Sequence, residues 1–153
     1  MILKKQFSIS RLPKIIPAAL LLAFFISGCS VQLVPAHSAE IEQQITEGAK
    51  MSDRLYMEMM SAAPDKKNYS LYADKYLSVA VEINSILFKN ETRPKATDIV
   101  ASVQKLKDFF TKAMEDHRSR NTLSNGEFLI YNEQLKAFWK PVLIEEMALK
   151  KAK

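Results

Sequence analysis

The chain has 153 residues, room for one domain, and its 48% hydrophobic content is enough to fill a core, which excludes disordered-tail and collagen-like classes. Its formal charge of +5 suggests a polyanion partner only until it is divided at residue 28. Four of the 22 basic residues, Lys4, Lys5, Arg11 and Lys14, precede that point with no acidic residue, which leaves 18 basic against 17 acidic groups and removes the main argument for nucleic acid.

The basic start is followed by a twelve-residue apolar run, Ile15 to Ile26, and then by Ser27, Gly28 and Cys29. This order of charge, apolar run and small residues is that of a secretory signal. The run is shorter than the ~18 to 20 residues a permanent transmembrane helix needs. Ile26-Ser27-Gly28-Cys29 resembles the lipobox of bacterial lipoproteins, a branched aliphatic residue and two small residues before a cysteine, and Cys29 is the chain's only cysteine.

The resemblance implies removal of residues 1–28 as a signal peptide, diacylglycerol on the Cys29 sulfur, and acylation of the new amino group. Two or three acyl chains hold a protein to a membrane without a transmembrane helix. In the Gram-negative sorting pattern that accompanies the lipobox, aspartate after the cysteine favours the inner membrane. Ser30 stands there instead, so the expected location is the outer membrane, facing the periplasm. The resemblance covers residues 1 to 30 and carries no information on the domain. With one cysteine, an internal disulfide is impossible.

Residues 29–37 lack helical spacing and read as a tether, and residues 38–153 read as one helical domain. A first helix is expected from about Ala39 to Ala62, with Ser38 as its cap and Ile41, Ile45, Gly48, Ser52, Leu55, Met59 and Ala62 on its inner face. That face is thin in the middle. A second helix, about Tyr69 to Lys89, carries Tyr69, Tyr72, Tyr76, Val79, Ile83 and Ile86 on one stripe. Arg93-Pro94 ends this segment, because proline restricts the residue before it.

A third helix, from Pro94 or Asp98 to about Arg118, places Ile99, Val103, Leu106, Phe110, Ala113 and His117 on its face. The fourth starts at a capping box, Ser124-Asn125-Gly126-Glu127, flanked by Leu123 and Phe128 as a hydrophobic staple. Phe128, Tyr131, Leu135, Phe138 and Val142 follow along one side, and Pro141 is expected to bend or end the helix. Four amphipathic segments with short links predict an all-α fold, an antiparallel four-helix bundle whose last helix is bent at Pro141.

Few residues offer chemistry. The histidines are His37, in the tether, and His117, and neither has a glutamate three residues ahead of it as a di-iron bundle requires. No serine is marked as a partner for His117, and no Cys-x-x-Cys-His, phosphate loop or calcium loop is present. Met51, Met57, Met59 and Met60 crowd the first helix; thioethers suit Cu(I) or haem iron, and they also fill irregular cores. Tyr69, Tyr72 and Tyr76 are the candidate partner-binding residues, since aromatic anchors dominate interfaces, with the rim of the core as the competing reading.

The expectation is therefore a lipoprotein without enzymatic activity or cofactor, anchored through Cys29, whose bundle binds or positions an envelope protein. In size and anchoring it resembles the small helical outer-membrane lipoproteins, secretion pilotins among them. The alternatives are a carrier of metal, haem or lipid in the bundle interior, and a prophage-type lipoprotein that blocks a receptor or entry machine.

Overall fold

The computed structural model describes residues 34–151; Cys29 and the expected signal segment lie outside them. Four α-helices account for most of this stretch: α1 Ala39–Ser61, α2 Ala73–Glu91, α3 Thr97–Arg120 and α4 Asn125–Ala148. Single 3-10 turns lie at Pro64–Lys66, Tyr69–Leu71 and Leu149–Lys151, and there is no strand among the described residues. α1 packs against α2 and α4, and α3 against the same two, so the helices form an antiparallel four-helix bundle. Among the described residues no helix is long and apolar enough to cross a membrane.

Local chemistry sets the helix ends. Ser38 Oγ accepts the Ile41 N–H at 3.3 Å, and Glu40 and Glu42 add charge favourable to the first turn of α1. At the start of α4 both halves of the capping box are made: Ser124 Oγ accepts the Glu127 N–H at 3.3 Å, and Glu127 Oε2 accepts the Ser124 N–H at 2.8 Å. Leu123 and Phe128 are both buried, as a staple requires. α3 ends on Asn121 in the left-handed region at φ 62, a conformation asparagine tolerates. α4 runs through the exposed Pro141 without ending there.

The second helix begins later than the tyrosine spacing predicts. Tyr69–Leu71 is a 3-10 turn, and α2 starts at Ala73. The cause is a cross-link of the backbone: the Tyr69 N–H donates to the Asn121 carbonyl at the end of α3, at 2.9 Å, and the Tyr72 N–H folds back to the Tyr69 carbonyl at 2.9 Å.

All six predicted positions on α3, Ile99 through His117, are buried. On α4 the expected Phe128, Leu135 and Val142 are buried, but the inward residues between and after them differ from expectation. The buried line is Phe128, Asn132, Leu135, Trp139, Val142 and Glu146, while Tyr131 and Phe138 are half-buried. Those two rings instead meet Phe109 of α3, at centroid distances of 6.1 and 4.9 Å. Each unexpected inward residue has a partner: Asn132 donates to Asp53 at 2.8 Å, Trp139 donates to Ser52 Oγ at 2.9 Å, and Glu146 takes Arg93. The thin middle of α1 thus has a purpose, since Gly48 and Ser52 form the notch that receives Trp139.

Candidate functional site

Two polar centres lie at opposite ends of the bundle. At the end where α2 starts and α3 finishes, His117 is fully buried. Its Nε2 lies 2.8 Å from the Lys67 carbonyl, which can only accept, so Nε2 carries the proton. Nδ1 is then the acceptor, and the Tyr76 hydroxyl, 3.0 Å away, donates to it. Tyr69, Tyr76 and Phe128 surround the imidazole, with ring centroids 5.7, 5.7 and 5.2 Å from its own.

Burial pushes the His117 pKa below its ordinary value, against a smaller opposing effect of the Lys67 carbonyl. Burial likewise pushes the Tyr76 hydroxyl up. Both groups are held neutral. The arrangement joins three segments, α2, α3 and the Lys67 link, through one imidazole, and Lys67 Nζ in turn donates to Asn125 at the start of α4. The Tyr56 hydroxyl nearby is buried without a hydrogen-bond partner among the described residues.

Two of the three candidate tyrosines, Tyr69 and Tyr76, are drawn into this centre. Tyr76 is fully buried and Tyr72 is buried, while Tyr69 is half-buried and stacks on Tyr76 at 5.6 Å between centroids. Tyr76 lies inside the rim, its hydroxyl satisfied internally by His117. Tyr72 and Tyr76 belong to the core with Tyr69 packed against its edge, and a partner reaching Tyr76 would have to open the bundle.

The second centre lies where the chain enters the domain. Glu146 of α4 is fully buried and Arg93, after α2, is nearly so, with a side chain 13% exposed. Arg93 donates from Nη1 to Glu146 Oε2 at 2.6 Å and from Nη2 to Oε1 at 3.2 Å. It also bonds Asn90 Oδ1 at 2.7 Å and the carbonyl of Ala36. The Ser38 N–H completes the set by donating to Glu146 Oε1 at 2.7 Å.

The last residues of the expected tether, and the cap Ser38 after them, are therefore held down. Pro35 is buried, Ala36 and Ser38 are bonded into the Arg93–Glu146 pair, and His37 Nε2 lies 2.8 Å from Glu42. Lys150 pairs with the same Glu42 at 2.7 Å, and these two neighbours, Lys150 first, hold the Glu42 carboxyl below its usual range. None of Arg93, Asn132 or Glu146 stands out in sequence as a functional residue. Their one signal is a polar residue at a core spacing, Asn132 and Glu146 falling in line with Phe128, Leu135, Trp139 and Val142.

The methionines do not converge. Met59 is buried, Met51 and Met60 are half-buried, and Met57 is exposed, so they point around α1. Among the described residues no group of three or more His, Cys, Asp or Glu side chains is arranged to hold a metal ion. Cys29 lies outside the described residues. Compared with known proteins, the chain matches no family model, no curated protein and no solved structure.

Proposed function

We propose that this protein is a lipoprotein of the bacterial envelope, acylated at Cys29 and facing the periplasm from the outer membrane, whose bundle binds or positions another envelope protein without enzymatic chemistry. The observation that carries this reading is the order of basic segment, twelve-residue apolar run and Ile26-Ser27-Gly28-Cys29, with no other cysteine in the chain. Hydrophobic attachment by two or more acyl chains is effectively permanent.

The clamp on residues 36 and 38 supports a role close to the membrane. With Pro35 already buried, five residues, Ser30 to Val34, separate Cys29 from the held segment, and five residues reach at most about 16 to 18 Å. A bundle on so short a lead meets membrane proteins, or the near end of a larger assembly, before anything free in the periplasm.

Cys29→Ser tests the reading. That chain is expected to lose labelling by a fatty-acid analogue and to accumulate unprocessed or soluble, and Ser30→Asp is expected to move the mature protein to inner-membrane fractions. Unchanged labelling of the Cys29→Ser chain refutes it.

A further inference from the structure

The outward face of α2 carries an apolar stripe that the bundle does not use. Leu77, Val81 and Phe88 are 61%, 56% and 67% exposed, and with the exposed Asn84 they follow each other at spacings of four, three and four. Three bulky side chains in register on one face leave a ridge about 16 Å long in water. The apolar residues exposed on α4 make no such line: Leu129 and Ile130 are separated from Ile144 and Met147 by the exposed Glu133, Gln134, Lys136 and Lys140.

The charges at the ends of the α2 stripe say what covers it. Asp74 continues the stripe before Leu77 and Glu91 continues it after Phe88; both are exposed, and neither forms an ion pair among the described residues. The two lysines of the helix are already committed, Lys75 to Glu58 and Lys89 to Glu40 on α1. Asp74 suits the positive end of the helix dipole, but Glu91 sits at the negative end, where a carboxylate is unfavourable without a cation. Among the described residues Glu91 is supplied with no cation.

We propose that this face of α2 is the docking surface for an amphipathic helix of another protein, one with an apolar ridge at three- and four-residue spacing and a Lys or Arg at each end. The two carboxylates, 17 positions apart on one helix, set the partner's basic residues about 25 Å apart. A second copy of this chain does not fit. Antiparallel self-pairing sets Asp74 against the other copy's Glu91, and parallel pairing sets each carboxylate against itself. An anionic lipid surface is repelled for the same reason. The inference rests on the binding role proposed above and names its surface and its partner.

Photo-crosslinking in cells producing the full chain tests it, with p-benzoylphenylalanine at position 77, 81 or 88 and, for comparison, at 130 or 144 on α4. The expected result is an adduct from the α2 positions whose crosslinked peptide, once sequenced, has the apolar spacing and basic ends described. Asp74→Lys with Glu91→Lys should cut its yield roughly tenfold, and Glu91→Lys alone roughly threefold. The single variant improves the helix-dipole interaction, so its effect does not come from a weakened bundle. Adducts to phospholipid, to a second copy or to residues 30–33 of the chain itself overturn the proposal. So do a peptide without the pattern, adducts from α4 alone, a yield unmoved by charge reversal, and no adduct at all. Anchoring is read separately by fractionation of the Cys29→Ser chain, so a failed anchor and a failed docking surface are told apart.

Discussion

Trp139 occupies the space that a side chain on Gly48 would need. A Cβ built on Gly48 would lie 2.6 Å from Trp139 Cη2 and 3.2 Å from Cζ2, and the indole is pinned by its N–H bond to Ser52 Oγ at 2.9 Å. The ring is rigid, buried and bonded through its N–H, so it cannot give way as a flexible chain terminus would. Gly48→Ala therefore sets two effects against each other. Removing a helix-interior glycine gains ~0.5 to 1 kcal/mol, and overpacking costs ~1 to 3 kcal/mol. The expected outcome is a net loss of stability in urea unfolding, relieved when Trp139 is changed to Leu in the same chain. A more stable Gly48→Ala protein would show that the indole moves freely.

His117 makes stability depend on pH in a defined window. Its pKa is lowered on folding, chiefly by burial, from an ordinary 6.5, so between the two values the unfolded chain binds the proton and the folded chain does not. The stabilisation is complete above about pH 6.5 and is lost as pH falls from there toward the folded value, with a slope no steeper than ~1.4 kcal/mol per pH unit for one proton. Urea midpoints measured from pH 7.5 to 5 should fall in the wild-type chain, and the fall should flatten in His117→Gln. An identical slope in both proteins would assign the titration to another group.

Ser124→Ala is expected to cost ~0.5 to 2 kcal/mol, because it unpairs the Glu127 N–H and removes the Ser124 hydroxyl's own bond to the Glu127 carboxylate, leaving only the backbone N–H of the cap on it. The carboxylate has its own signature. Arg120 at 2.6 Å, and after it the Ser124 backbone and hydroxyl, hold the Glu127 pKa at about 2. Carboxyl NMR titration should show Glu127 ionised well below the ordinary 4.5, and rising toward that value in Arg120→Gln. A Glu127 that already titrates near 4.5 in the wild-type protein would mean that the pair is not held in solution.

The elements that sequence makes legible are those whose information is local. The start of α4 is written in four adjacent residues, and α3 shows its face because five of its six inward positions are apolar. The inward residues between and after the expected positions of α4 are hidden because Asn132, Trp139 and Glu146 are chosen by Asp53, Ser52 and Arg93, residues 53 to 87 positions away. The start of α2 is hidden for a different reason: a 3-10 turn also brings residues three apart onto one face, so the spacing of Tyr69 and Tyr72 fits either helix. Cys29 is legible as a candidate through its motif alone. The inward turn of the tyrosines is not, since a tyrosine ring suits a core as well as a rim and only the position of His117 decides between them.

The Arg93–Glu146 pair should show the asymmetry of buried charges. Glu146 is fully buried and accepts from Arg93 and from the Ser38 N–H, so removing either charge strands the other in a poorly solvated site. Breaking such a pair from one side costs ~3 to 5 kcal/mol, whereas replacing both partners with apolar groups of similar volume is often close to neutral. Arg93 keeps some contact with water, which places Glu146→Leu nearer the lower end, since the arginine left behind can rehydrate. Arg93→Met should be the more damaging change, because the carboxylate it leaves is the fully buried partner. The double variant should then be more stable than Arg93→Met alone, and its cost well below the sum of the two single changes. One loss should persist in all three proteins: the Ser38 N–H or the Ala36 carbonyl is without a partner, so amides at the entrance of the domain should exchange faster with deuterium while those of α3 do not. Additive single costs in urea unfolding, or unchanged exchange at Ser38, would show that the clamp does not hold the entering chain.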